Sequence, residues 1–301
     1  MCNLLNNTIK IAVSSCLTGE AVRYDGTDKK NTVVSNHLSA YFSLQVICPE
    51  IAIGLGIPRL PIRMIEHENN FSVVEINNSK LNYTDKMLRY AKHLLPLFDS
   101  YCGYIVKERS PSCGYRDTPR FSNSGKQVSR GAGLFTEQVI NNKIWLPIIS
   151  EIDLNDRALL DNFLERIFIV HLWRNLNNST DIFYAKLQDQ LRLRGTDVES
   201  LKTVSNATQT DAIFQSIMSI LNRPITKVMQ LKFLQAKVCE YQLESTKIPW
   251  MLQKFRDDQV TLKAVIANFQ NAFEEFNHSV NSNYFYPDKR EIDSRECYFG
   301  H

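Results

Sequence analysis

The sequence predicts an α/β domain with a mostly parallel sheet and flanking helices, followed by a second, all-α domain. Three observations carry this. Short β-branched runs in the first half end abruptly at Ser, Cys or Pro, and a helical segment lies between two of them. Beyond about residue 150, strand-like alternation gives way to apolar residues at three-to-four spacing. The division is therefore placed at residue 150, giving domains 1–150 and 151–301.

Ile9–Val13 reads as a buried strand ending at Ser14-Ser15-Cys16. Leu44–Ile47 is a second, ending at Cys48-Pro49-Glu50, and Tyr104–Val106 a third, running into Lys107-Glu108-Arg109-Ser110-Pro111-Ser112-Cys113-Gly114. Between the last two, Tyr83–Phe98 has helical spacing, with Thr84 or Asp85 as its expected N-cap. In the second half, Leu159–Leu176, Ile182–Leu193, Asp211–Leu221, Val228–Leu243, Ile248–Phe255 and Val260–Phe276 read as helices, and the only glycines there are Gly195 and Gly300. Asn175–Asn178 reads as a loop, and the chain closes with Tyr284–Tyr286, Pro287 and a charged tail. His171, Trp173, Trp250 and His278 carry helical spacing and are expected in the core or at its boundary.

At 301 residues, 44% hydrophobic and 22% charged, the chain has the composition of a packed globular protein rather than a disordered one. No apolar run approaches the ~20 residues that span a bilayer. The N-terminus lacks a basic region ahead of an apolar stretch, so a cytoplasmic protein without membrane association is expected. Residues 1–150 hold 17 Lys and Arg against 12 Asp and Glu, and residues 151–301 hold 18 against 20. Attraction for a polyanion should therefore centre on the first half.

Seven cysteines without a regular framework point, in a reducing compartment, to free thiols, core fillers or metal ligands. Cys16, Cys48 and Cys113 share a setting that Cys2, Cys102, Cys239 and Cys297 lack: each follows a strand within a short Ser-, Gly- or Pro-containing loop. Such loops emerge on one edge of an open parallel sheet, where ligands collect. The paired C-x-x-C spacing common to structural zinc is absent, as is the C-x3-C-x2-C of radical chemistry. Spacing alone leaves open a shared metal site or three unrelated buried thiols.

Four segments resemble the DUF523 family, of thiouracil desulfidase type: Ser14–Gly26, Val46–Arg63, Lys107–Gly114 and Gly131–Phe135. The order matches, and the resemblance covers roughly residues 8–150. It implies a [4Fe-4S] cluster on Cys16, Cys48 and Cys113, with Glu50 and Ser110 as catalytic side chains. It also implies replacement of the thiocarbonyl sulfur of a thiolated pyrimidine by oxygen, without net redox change. A carboxylate there can take a proton from water, and a serine can orient water or the ring. The substrate would be 4-thiouracil as base or nucleotide, or 4-thiouridine in tRNA. The alternative is a non-enzymatic iron–sulfur sensor or RNA-binding module; oligomeric state is not readable.

The second half is similar, more loosely, to the DUF1722 domain often fused behind DUF523, in proteins acting on 4-thiouridine in tRNA. Where that domain usually shows F-H-x-x-H-K, this chain has Phe183-Tyr184-Ala185-Lys186-Leu187-Gln188. Arg23, Arg59 and Arg63 also lie in the resembling motifs. Each either pairs with a carboxylate or meets a substrate phosphate, and pairing is favoured for Arg23. Gly54 and Gly56 form only a fragment of a phosphate loop.

Overall fold

A computed structural model describes residues 9–68, 70–176, 180–197, 201, 210–280 and 284. Cys2, Cys297, Pro287 and most of the expected closing aromatic run lie outside these residues. Among the described residues no helix is long and apolar enough to cross a membrane.

The first strands form the expected parallel sheet. Strands β1 (Lys10–Ser14), β2 (Ser43–Ile47), β5 (Gly103–Val106) and β8 (Ile148–Ser150) are all parallel, in the order β2-β1-β5-β8. Because β2 and β5 flank β1, the chain leaves β1 to one side and later returns to the other. The loops after β1, β2 and β5 therefore open along one edge. β5 is buried along its whole length and β1 from Ile11 to Ser14, so both strands are covered on both faces there.

A second sheet went unread in the sequence. It runs β4 (Phe71–Glu75), β3 (Ile62–Glu66), β6 (Thr118–Phe121), β7 (Gln127–Gly131), with two antiparallel hairpins joined by a parallel β3–β6 pair. Its strands mix charged and apolar residues, and β6 carries Pro119 and a register shift at Arg120/Phe121. Such segments give weak periodicity and resemble loops.

Helix α2 (Thr84–Leu94) and α3 (Leu134–Asn142) cover the first sheet. The α2 N-cap is Tyr83, not Thr84 or Asp85. Thr84 begins the helix, and its Oγ1 accepts from the backbone N–H of Val73 at 2.8 Å, so the hydroxyl fastens β4 instead of capping. Tyr104 and Phe98 meet edge-on at 5.5 Å, and Phe135 joins them across a T-shaped contact with Tyr104.

Helix α4 (Arg157–Asn175) begins in the same unit. A Cβ on Gly103 would sit 3.0 Å from Ile167 and 3.1 Å from Phe163, so glycine at that point of β5 lets α4 close on the sheet. Two compact units are distinguished, the first running to His171 and the second beginning at Leu172.

The second unit, Leu172–Ile292, is helical where described: Thr180–Leu193, Thr210–Leu221, Lys227–Glu240, Ile248–Arg256 and Leu262–Glu275. Leu234, Leu243, Val265, Phe269 and Phe273 lie in its core. Phe183 and Leu187, from the segment that departs from the usual histidine-bearing run, are fully buried. Trp173 stacks on Phe214, and His278 packs against Tyr241 and Phe273. Trp250 departs from the core expectation: it is 58% exposed, with Lys254 over its ring.

Candidate active site

The three strand-end loops line one cavity of about 480 Å³, and the face of the second sheet closes it. Cys16 lies in a short 3-10 turn, Ser15–Thr18, directly after β1. Cys48 is the N-cap residue of a single helical turn, α1 (Pro49–Ala52), directly after β2. Cys113 follows β5 at the end of the Ser-Pro-Ser loop. All three line the cavity, together with Glu50 and Ser110.

The thiols affect one another's ionisation. Burial pushes Cys16 up to about 12, and the nearby Cys48 adds to the rise. Burial raises Cys113, followed by repulsion from Cys48, with Cys16 contributing. Cys48 is raised by burial against the opposing pull of the Ile51 N–H. With protons on them the three sulfurs are neutral, and a cationic centre would replace those protons.

Glu50 stands at the middle of a hydrogen-bond network. Arg59 grips one carboxylate oxygen, donating from Nε at 3.0 Å and from Nη2 at 2.7 Å. Arg59 is itself held by the carbonyls of Val22 and Gly56. Its two-donor grip resembles the fork geometry that suits carboxylates. The other Glu50 oxygen accepts from Ser112 Oγ at 2.8 Å, with Ser110 Oγ more distant at 3.5 Å. The two serine hydroxyls are 3.0 Å apart. Ser110 Oγ also accepts the backbone N–H of Cys113 at 3.1 Å, so it serves the turn as well as the cavity.

Three contributors escaped the sequence reading. Ser112 looks like one more turn residue, yet it holds the tightest serine contact to Glu50. Glu108 is 4% exposed, and its Oε1 accepts backbone N–H groups from Tyr115, Arg116 and Asp117 at 3.0, 3.1 and 2.8 Å. Glu151 pairs with Lys107 and accepts from the backbone N–H of Glu108, tying β8 to the same loop. None of these has a local signal, because each partner is supplied by folding.

The Gly131–Phe135 motif clamps the cysteine loop. The N–H groups of Gly133, Leu134 and Phe135 donate to the carbonyls of Gly114, Pro111 and Ser112, and Thr136 Oγ1 donates to the Cys113 carbonyl. A Cβ on Gly133 would lie 2.6 Å from the Ser110 carbonyl oxygen and 2.7 Å from Ser112 backbone. Gly133→Ala should therefore destabilise the domain by about 2–3 kcal/mol and loosen the loop, as overpacking against unyielding backbone does. Chemical denaturation checks this; a change under ~0.5 kcal/mol would mean the loop yields freely.

Of the arginines, Arg23 pairs with Asp25 at 3.2 Å and donates to Thr27 Oγ1 at 2.7 Å, closing the Asp25-Gly26 turn. Arg59 serves Glu50. Gly54 adopts a left-handed φ of 86° in the turn after α1, and a Cβ on neither it nor Gly56 would meet an atom within 4 Å.

Residues 11–151 match the model of the 2-thiouracil desulfurase family. The match places residues 11–151, the α/β domain, in that enzyme family. Among solved structures, the [4Fe-4S]-dependent thiouracil desulfidase TudS (DUF523Vcz) is 30% identical over 51% of this chain and 97% of that one, with a TM-score of 0.40. No curated protein matches the chain. The family match ends at residue 151, ahead of the helical unit.

Proposed function

We propose that Cys16, Cys48 and Cys113 hold a [4Fe-4S] cluster, and that the chain exchanges the thiocarbonyl sulfur of a thiolated pyrimidine for oxygen. The observation that carries this is the gathering of three strand-end thiols in one cavity with Glu50 and Ser110. Three thiolates suit the separate corners of a cluster, because each binds its own iron. Held by three thiolates, such a cluster keeps one iron without a protein ligand, a Lewis acid for the departing sulfur.

The balance needs no electrons: water enters, the C=S carbon becomes C=O, and hydrogen sulfide leaves. Glu50 takes the proton from the attacking water on the carboxylate oxygen that Arg59 leaves to the serines. Ser110 and Ser112 orient that water and the ring. We place this chemistry in the α/β domain. Handling of 4-thiouridine in tRNA by the helical unit rests on its looser resemblance alone.

The test is anaerobic reconstitution followed by loss of near-ultraviolet absorption from 4-thiouracil, its nucleotide and thiolated tRNA. Glu50→Gln is expected to keep its iron while turnover falls by ~10²–10⁴, the usual worth of a general base. A brown protein that turns over none of these substrates would point instead to a non-catalytic iron–sulfur module.

A further inference from the structure

Tyr104, on β5, belongs to the core of the first unit rather than to the cavity lining. Its ring is held edge-on by Phe98 at 5.5 Å and by Phe135 at 6.5 Å. The residue is fully buried, and its hydroxyl oxygen has no hydrogen-bond partner among the described residues. Phenylalanine would fill the same aromatic group without burying an unmatched donor. A sealed hydroxyl with nothing to bond is destabilising, so its place in this core calls for an acceptor.

The polar side chains that come near the hydroxyl are those of Cys113, Thr136 and Ser14, and none completes a hydrogen bond with it. Thr136 Oγ1 donates to the Cys113 carbonyl at 2.8 Å, and Ser14 Oγ accepts from the backbone N–H of Lys107 at 3.0 Å. Both hydroxyls thus already serve the cysteine loop. A thiol sulfur is a weak acceptor, but an ionised sulfur is a much stronger one. Exchange of the Cys113 proton for a cationic centre therefore creates the acceptor that Tyr104 lacks. Cys113 is 6% exposed, so charge on its sulfur is shielded from water and gains most from a donor within the protein. Ser112 Oγ lies 3.5 Å from that sulfur, but Glu50 draws its proton at 2.8 Å.

We propose that Tyr104 is a positioning residue for the metal centre, donating a hydrogen bond from its hydroxyl to the Cys113 sulfur when that sulfur is a ligand. The inference rests on the cluster reading and deepens it. Donors behind a metal ligand fix its orientation, and hydrogen bonds to ligand sulfurs set the reduction potential of a cluster. Such a donor draws negative charge off the sulfur, which favours the reduced state and raises the potential.

The experiment compares wild type, Tyr104→Phe and Tyr101→Phe, each reconstituted anaerobically. Tyr101 lies in the same aromatic group, edge-on to Phe98 at 5.3 Å, so its variant loses a hydroxyl but keeps the proposed donor. Potentiometric titration followed by electron paramagnetic resonance should place the Tyr104→Phe couple at a more negative potential than the other two. Iron should leave this variant for a chelator ~10-fold faster, in line with the usual cost of removing the partner behind a metal ligand. Before reconstitution, Tyr104→Phe should unfold at a urea concentration equal to or above that of wild type, because the iron-free protein loses only an unsatisfied group. Lower stability of the iron-free variant would assign the hydroxyl to Thr136 or Ser14 and overturn the proposal. An equal shift of potential in Tyr101→Phe would overturn it too. So would a Tyr104→Phe protein that binds iron with the potential and chelator rate of wild type, a result that leaves the desulfidase reading intact. Wild type that takes up no iron would remove the cluster reading and this assignment together.

Discussion

Alanine in place of Cys16, Cys48 or Cys113 is expected to bring reconstituted iron and acid-labile sulfide to background, and desulfidation with them below detection. Each cysteine comes from a different strand end, so no neighbouring thiol can substitute for the one removed. The two remaining thiols are pushed toward the protonated state by burial, which disfavours a weakened centre further. Cys239→Ala, at an exposed position of the helical unit, should retain both iron and turnover. The measurement is iron and sulfide per chain for each variant, prepared anaerobically beside the wild type. Full iron content in Cys48→Ala would remove that residue from the ligand set and, with it, the proposed centre.

The second large effect concerns Glu108, which touches none of the proposed reacting atoms. Its buried carboxylate gathers three successive backbone N–H groups just beyond Cys113, and so fixes the return of the cysteine loop toward β6. Glu108→Ala leaves those donors without an acceptor in a place water reaches poorly. Each unmade buried bond costs about 1–3 kcal/mol, so a loss on the order of 4 kcal/mol is expected. Glu108→Gln keeps a carbonyl oxygen at the same reach and should recover roughly half, since neutral acceptors give about half the strength of charged ones. Urea unfolding gives the stability, and iron retention gives the consequence for the site. An alanine variant within ~1 kcal/mol of wild type would show that the loop holds its shape without this anchor.

The legible parts of the fold were those with local causes. The strands ending at Ser14, Ile47 and Val106 are short, mostly apolar runs stopped by polar or Pro-containing loops, and they appear within a residue or two of their expected bounds. The helices of the second half follow from their apolar spacing in the same way. The mixed sheet was not legible, because β3, β4, β6 and β7 interleave charged or polar residues with apolar ones and one contains proline. Thr84 was misread as a cap for a related reason: its hydroxyl has two uses, and the competing one, a bond to Val73, lies eleven residues away.

The amino-acid order by itself determined which thiols stand at strand ends, and therefore which edge of a parallel sheet they must share. Backbone hydrogen bonding makes that edge common to all three loops, whatever the side chains around it. Only the tertiary structure decided which charges are already answered. Asp25 neutralises Arg23, Glu50 engages Arg59, and Arg63 alone of those three arginines meets no carboxylate among the described residues. The reason is physical: an ion pair depends on distances between segments far apart in the chain, and these exist only once two sheets have closed around a cavity.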